Sequence, residues 1–120
     1  MTRILVVDDE PTIRQVIAEI LQDEGFEVVT AVCGQQMLEH LGSFQPALIL
    51  LDMMMPGLSG LAALEQLRVQ PKLSDIPVVL MSAGMWEPQS REPLQAFLSK
   101  PFEIFELLNV VNRMTGPAAS

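Results

Sequence analysis

Four short apolar runs in this sequence each end at a side chain that can do chemistry. Two carboxylates, Asp8 and Asp9, follow the first run, and a third, Asp52, follows another. A hydroxyl, Ser82, and an ammonium, Lys100, end two further runs. If these runs are parallel strands of one open sheet, their ends meet at its carboxyl edge, where α/β sheets bind ligands. Three carboxylates, a hydroxyl and an ammonium would then converge.

The predicted cluster carries an excess of negative charge. Three carboxylates a few ångströms apart repel by roughly 1 kcal/mol per pair in water, and by more where water is partly excluded. Lys100 offsets one charge, and a divalent cation would offset the other two. Oxygen ligands without His or Cys favour Mg²⁺ over zinc. Such a site can handle a phosphoryl group, with Asp52 as the nucleophile that forms an acyl phosphate.

Segments of helical period separate the strand-like runs. The first helix is predicted to begin at Pro11 and to end at Gly25. A second is predicted near 35–41, and Ser59 is a candidate N-cap for a third. Their spacing predicts that the apolar residues face the core: Ile13, Val16, Ile17, Ile20 and Leu21 in the first, Leu61, Leu64 and Leu67 in the third, and Ile104, Leu107, Leu108 and Val111 in the last, with Phe102 and Phe105 beside them.

The order of elements predicts an α/β fold with an open, doubly wound, five-stranded parallel sheet and helices on both faces. The strands are predicted at 4–7, 27–31, 47–51, 78–81 and 96–99. Between the last two, Pro88 and Pro93 leave room only for a short or irregular fourth helix. We expect residues 1–115 to form one domain and residues 116–120 a flexible tail or the start of a linker.

Composition narrows the classes of partner. Of the 120 residues, 49% are hydrophobic, and the net charge is −8, which disfavours direct binding to nucleic acid. The apolar runs are far shorter than the roughly 20 residues that span a membrane. The single cysteine, Cys33, cannot form an internal disulfide, which fits a reducing compartment. We expect a cytoplasmic protein that has protein partners and no contact with membranes.

The chain resembles a response-regulator receiver domain, the phosphoacceptor module of two-component signalling, over nearly its whole length. Four motifs in order support the resemblance: Asp8-Asp9-Glu10-Pro11, Asp52 followed by Met55-Pro56-Gly57 and Gly60, Ser82-Ala83, and Lys100-Pro101-Phe102. Each motif alone is modest, but the four together, each at a predicted strand end, are specific. The resemblance implies the flavodoxin-like strand order 2-1-3-4-5.

The resemblance also implies roles for the residues of the cluster. Asp52 would take the phosphoryl group from a phosphohistidine of a sensor histidine kinase or a histidine phosphotransfer protein. Asp9, Asp52 and the backbone carbonyl of Met54 would ligate Mg²⁺, and Asp8 would hold it through a water molecule. Lys100 would pair with the phosphoryl group. Such a module catalyses only its own phosphorylation and dephosphorylation and is not otherwise an enzyme.

A switch is implied by two further residues. Ser82 would contact a phosphoryl oxygen, and Phe97 matches the aromatic residue that turns into the space Ser82 leaves. The changed surface would act on a downstream protein target or a fused effector domain. The interval from Ser82 to Lys100 is about one helical turn shorter than is usual in the family. The sequence therefore does not indicate which surface transmits the signal.

Other functions stay open beside this one. A receiver-like module that binds proteins without being phosphorylated is disfavoured by the presence of Asp52, Ser82 and Lys100. A metal-dependent phosphatase would need a second acid two residues after the nucleophile, where Met54 stands. A nucleotide-binding domain would need a glycine-rich motif after the first strand, where Asp8-Asp9-Glu10-Pro11 stands.

Overall fold

The computed structural model describes residues 2–55, 57, 59–83 and 95–115. The elements in chain order are β1 (Arg3–Val7), α1 (Pro11–Asp23), β2 (Glu27–Ala31), α2 (Gly34–Leu41), β3 (Leu48–Asp52), α3 (Gly60–Arg68), β4 (Val78–Ser82), β5 (Gln95–Ser99) and α4 (Ile104–Thr115). The predicted strands and helices agree with these to within one or two residues. The helix predicted between β4 and β5 falls on 84–94, outside the described residues, and so does the predicted tail at 116–120.

All five strands are parallel and follow the order β2-β1-β3-β4-β5, so the predicted fold class and strand order are confirmed. The order reverses at β1, because the chain adds β2 on one side of it and β3 on the other. Val7 pairs with Leu51 across β1 and β3. The next residues along the two segments, Asp8 and Asp52, therefore lie next to each other. This is the point at which open α/β sheets bind ligands.

Helices cover both faces of the sheet, and the alternation of side chains along each strand divides the core into two clusters. Leu5, Ile49 and Leu80 belong to the cluster that packs against α2 and α3. Ile4 and Leu50 belong to the cluster that packs against α1 and α4. Residues on both faces of β1 and β3 are fully buried, which explains why these strands are apolar throughout.

The predicted helix ends follow from local chemistry. Pro11 is the first residue of α1, where its missing N–H costs no hydrogen bond. Gly25, with φ of +94°, supplies the left-handed conformation after its end, as predicted. The Ser59 side chain accepts a hydrogen bond from the Ala62 N–H at 3.2 Å and caps α3, also as predicted.

Four apolar residues predicted to face the core are exposed instead. The exposed fractions are 46% for Val16, 39% for Leu61, 58% for Ile104 and 62% for Phe105. The predicted stripe of each helix was wider than the strip that touches the sheet, so only its centre is covered. Ile104 and Phe105 also lie in the first turn of α4. Among the described residues, no helix has the length and apolar character needed to cross a bilayer.

The start of α3 lies against the backbone that carries Asp52. The Gly60 N–H donates to the Met53 carbonyl at 3.2 Å. A Cβ added at Gly60 would clash with the Asp52 carbonyl oxygen and would lie 2.6 Å from the Met53 Cα. Because these neighbours are backbone atoms, neither can move aside without displacing the end of β3.

We predict that Gly60→Ala lowers the free energy of unfolding by about 1–3 kcal/mol, the usual cost of overpacking, despite the better helix propensity of alanine. Urea denaturation measures it. Gly42→Ala is the control, since a Cβ there meets only the Glu39 carbonyl at 3.3 Å. Equal losses in the two variants would contradict the prediction.

Candidate functional site

Three carboxylates come together at the carboxyl edge of the sheet. Asp8, Asp9 and Asp52 each place an oxygen within 4.8 Å of the others. Asp8 is fully buried and Asp52 is 4% exposed, whereas Asp9 is not buried. The pairing of β1 with β3 creates this proximity, because Asp8 follows Val7 and Asp52 follows Leu51.

Lys100 supplies the cation of the cluster. Its Nζ donates to Asp8 Oδ2 at 2.8 Å and lies 3.6 Å from Asp52 Oδ2. The backbone after β5 is anchored as well, since the Lys100 N–H donates to the Ser82 carbonyl at 2.7 Å. Asp8 and Lys100 are 92 residues apart in sequence, and only the assembled sheet brings them into contact.

Burial and charge perturb the pKa values of two of these groups. Burial raises the pKa of the Asp52 carboxyl, and the negative charges of Asp8 and Asp9 add to the rise. The Met54 N–H and Lys100 act in the opposite direction without cancelling it. Burial alone would lower the pKa of the Lys100 ammonium, but the hydrogen bond and charge of Asp8 outweigh it and raise the pKa. Lys100 therefore stays charged at neutral pH.

Every polar group of Asp8 has a partner. Its N–H donates to the Ala31 carbonyl at 3.1 Å, and its Oδ1 accepts from the Glu10 N–H at 2.9 Å. Its Oδ2 accepts a hydrogen bond from Lys100 Nζ. The Asp8 carbonyl oxygen accepts from Arg14 Nη1 at 2.7 Å. Arg14 is a residue of this site that was not predicted from the sequence, although it is the only basic residue of α1 and lies six residues after Asp8.

The switch residues predicted from the sequence lie on neighbouring strands of the sheet. Ser82 ends β4 and Phe97 lies within β5, and both are half-buried. Phe97 is the register partner of Leu80, two residues before Ser82. Side chains two residues apart share a face, so Ser82 and Phe97 point to the same side of the sheet. Phe97 packs there against the cluster beneath α2 and α3.

The methionine triplet after Asp52 divides into two environments. Met53 and Met55 are 9% and 7% exposed and pack into the core, whereas Met54 is 74% exposed. The Met54 N–H donates to Asp52 Oδ1 at 3.1 Å, which fixes this turn of the backbone beside the carboxylate. The Met54 side chain points to solvent, whereas its backbone lies next to the cluster.

The donor chemistry of the cluster fits a magnesium ion. The described group of potential ligands consists of three aspartates, which offer the oxygen atoms that Mg²⁺ prefers. Three carboxylates and one ammonium leave two negative charges for a divalent cation to offset. Burial is the main cause of the raised pKa of Asp52, and the negative charges of Asp8 and Asp9 add to the rise.

A groove of about 220 Å³ adjoins the cluster. It lies between α1 and the residues that follow β5, and it is lined by Thr12, Ile13, Val16, Ile17, Lys100, Pro101 and Phe102. Most of its surface is apolar, and Lys100 forms the boundary that it shares with the acidic cluster. The exposed side chain of Val16 belongs to this groove rather than to the core.

Comparison with known proteins supports the resemblance to receiver domains over nearly the whole chain. The family model "Response regulator receiver domain" matches residues 4–112. The phosphate regulon transcriptional regulatory protein PhoB of Pseudomonas aeruginosa is 37% identical over 98% of this chain and 54% of its own length. The chain thus spans about half the length of this curated relative.

Two solved structures resemble the fold closely. The chemotaxis response regulator CheY4 of Vibrio cholerae superposes with a TM-score of 0.85 at 29% identity, covering 95% of this chain and 98% of its own. The response regulator TrrA of Thermotoga maritima, in complex with Mg(2+)-BeF, gives a TM-score of 0.80 at 37% identity, covering 95% of this chain and 99% of its own.

We predict that Asp52→Asn stabilises the metal-free protein at neutral pH by about 0.5–2 kcal/mol, the usual size of a stabilising substitution. The pKa of Asp52 is raised by folding, so the folded state loses stability as the pH rises and the carboxyl ionises. Asparagine cannot ionise, and it keeps an oxygen for the Met54 N–H. Urea denaturation in chelator measures the gain.

The gain should vanish at a pH below about 3.9, the ordinary aspartate pKa, where Asp52 is protonated in both states. Asp75→Asn is the control, because Asp75 is exposed and lies in a turn. An Asp52→Asn variant that is no more stable than the wild type at pH 7 would contradict the prediction.

Proposed function

This chain belongs to the response regulator receiver domain family, and we propose from that premise that Asp52 is its phosphoacceptor. Members of the family are signalling phosphoacceptors of two-component systems and bind Mg²⁺ at an acidic pocket. The observation that supports the assignment is the position of Asp52, almost fully buried among Asp8, Asp9 and Lys100.

Asp52 acts as the nucleophile in this proposal. One of its carboxylate oxygens attacks the phosphorus of a phosphohistidine on the donor, an acyl phosphate bond forms, and the P–N bond breaks with its electron pair returning to the imidazole. Lys100 lies 3.6 Å from Asp52 and remains charged, so it can pair with an oxygen of the transferred group. The same groups serve the hydrolysis that reverses the signal.

The metal site of the proposal uses the same residues. Asp9, Asp52 and the backbone carbonyl of Met54 would hold Mg²⁺, and Asp8 would hold it through a water molecule. When bound, Mg²⁺ offsets the charge of the carboxylates and of the phosphoryl oxygens. Asp8 keeps Lys100 in place through the 2.8 Å hydrogen bond. The raised pKa of Asp52 means that a proton competes with the cation for this carboxylate.

Ser82 and Phe97 form the switch of the proposal. The Ser82 hydroxyl contacts a phosphoryl oxygen on Asp52 and moves toward it. Phe97, on the same face of the sheet, then turns into the space that Ser82 leaves. Phosphorylation thereby biases an existing equilibrium between two surfaces.

The partners are a phosphodonor and a receiver of the signal. We infer that the donor is a sensor histidine kinase or a histidine phosphotransfer protein, and that the signal passes to a protein target or a fused effector domain. Residues 1–115 would form the receiver domain, with 116–120 as a tail or linker. The net charge of −8 argues against direct contact of this domain with nucleic acid. A cytoplasmic location suits the unpaired Cys33.

The apolar groove beside Lys100 is the surface that we expect the donor to cover. A donor has to bring an imidazole to Asp52, so it must lie on a surface that borders the cluster. The groove meets this condition through Lys100, and its exposed Val16 offers an apolar contact on α1.

The central prediction is that the protein incubated with acetyl phosphate and Mg²⁺ gains one phosphoryl group, which is labile to hydroxylamine because it is an acyl phosphate. Intact mass spectrometry detects it. The adduct should require Mg²⁺ and should be missing in Asp52→Asn. Asp75→Asn, which removes an exposed carboxylate elsewhere, should still be modified.

An unmodified wild type would point to a module that works by protein contact alone. An adduct that persists in Asp52→Asn would show that another residue accepts the group. Sustained turnover of a phosphoester would point to a hydrolase.

The groove leads to a second prediction. Val16→Asp should slow transfer from the phosphorylated donor protein of the native host by about tenfold, equivalent to about 1.4 kcal/mol, because a carboxylate is costly to bury in an apolar contact. Transfer is followed with radiolabelled phosphate. The rate with acetyl phosphate, which has no protein surface, is the internal reference.

Val69→Asp is the matched control, since Val69 is 78% exposed at the end of α3. Equal transfer rates for the two variants would show that the donor docks elsewhere.

A further inference from the structure

Arg14 connects α1 to the end of β1 at the edge of the acidic cluster. Its Nη1 donates to the Asp8 carbonyl oxygen at 2.7 Å, a short distance typical of a charge-assisted hydrogen bond. The other three polar groups of Asp8 bind Ala31, Glu10 and Lys100. Among the residues that the structure describes, Arg14 is the side chain that bonds the backbone carbonyl of Asp8.

The bonded carbonyl belongs to the peptide group that joins Asp8 to Asp9. A peptide group is planar, so a bond that fixes the direction of its carbonyl also fixes the direction of the Asp9 N–H. The hydrogen bond therefore restricts ψ of Asp8 and φ of Asp9. The second of these angles sets the direction in which the Asp9 side chain leaves its Cα atom. Asp9 is the least buried of the three carboxylates, and packing constrains it less than Asp8 or Asp52.

The positive charge of Arg14 and its hydrogen bond have opposite effects on Mg²⁺ binding. Its positive charge, close to the cluster, repels a metal cation, so its removal would strengthen cation binding by electrostatics alone. Its hydrogen bond orders Asp9 before the cation arrives, so its removal would weaken binding. The sign of the change in Mg²⁺ affinity therefore tells which effect dominates.

We propose that Arg14 is a positioning residue for the magnesium site, which holds the Asp8–Asp9 peptide so that the Asp9 carboxylate faces Asp52. The proposal rests on the proposed function, in which Asp9 and Asp52 hold Mg²⁺. It adds a residue on α1 that touches neither the metal nor the phosphoryl group. Partners that orient metal ligands typically contribute roughly 10–100-fold to metal affinity.

The test is a Mg²⁺ titration of the full chain by isothermal titration calorimetry, with the wild type, Arg14→Met and Arg14→Lys. Arg14→Met keeps much of the aliphatic stem and removes both the donor and the charge. We expect its Kd for Mg²⁺ to rise about tenfold. Arg14→Lys keeps the charge with a single ammonium in place of the planar fork, and we expect an intermediate Kd.

Arg68→Met is the matched control. Arg68 also donates to backbone carbonyls, those of Ser74 and Ile76 at 3.0 and 2.7 Å, but these precede β4 at the opposite end of that strand from Ser82. The substitution removes the same charge and the same kind of bond. It should lower the stability in urea and leave the Kd for Mg²⁺ unchanged.

A Kd for Arg14→Met equal to or below that of the wild type would overturn the proposal, since charge would then be the dominant effect. So would an equal rise in Arg68→Met, which would reflect general loosening. A wild type that binds no Mg²⁺ would refute the proposed metal site, and the role of Arg14 with it. Circular dichroism verifies the fold of each variant, and Arg14→Gln, whose amide is too short to span the same distance, replaces Arg14→Met if the latter does not fold.

Discussion

The ion pair between Lys100 and Asp8 sets the electrostatic balance of this protein. Three carboxylates share one edge of the sheet, and two of them are almost fully removed from water. An isolated buried carboxylate is costly, but the 2.8 Å hydrogen bond from Lys100 lets Asp8 remain at the cluster. One ammonium cannot balance three carboxylates, and burial together with the charges of Asp8 and Asp9 raises the pKa of Asp52. The same unbalanced charge that opposes folding is what makes the site attract a divalent cation.

The sheet brings these groups together through its strand order. β1 lies between β2 and β3, so Asp8 and Asp52 stand on adjacent strands at the point where the order reverses. β5 lies at the edge of the sheet, and Lys100 reaches the cluster from there while its backbone is bonded to Ser82. Gly60 lets α3 approach the backbone of Asp52, which a side chain at that position would prevent. The pairing of β3 with β1, the ammonium of Lys100 and the start of α3 thus all adjoin Asp52.

The sequence was informative where a property depends on neighbours in the chain. The strands, the Ser59 cap and the end of α1 near Gly25 were predicted from local patterns and confirmed. The strand order came from the resemblance to receiver domains, not from periodicity. The sequence misled where burial depends on what lies opposite. Val16 and Ile104 fit the apolar stripes of their helices, but no element covers them in the described part of the chain.

The sequence by itself determined which groups are available: three aspartates, a serine and a lysine at the ends of strands, and the family to which the chain belongs. The tertiary structure decided how they are connected, because the energy of a charge depends on its distance to others and on the water around it. It placed Lys100 Nζ 2.8 Å from Asp8 and 3.6 Å from Asp52, and it turned Arg14 toward the Asp8 carbonyl. Neither contact follows from residue type or spacing, since each requires a helix or strand to be packed against another before the two atoms can meet.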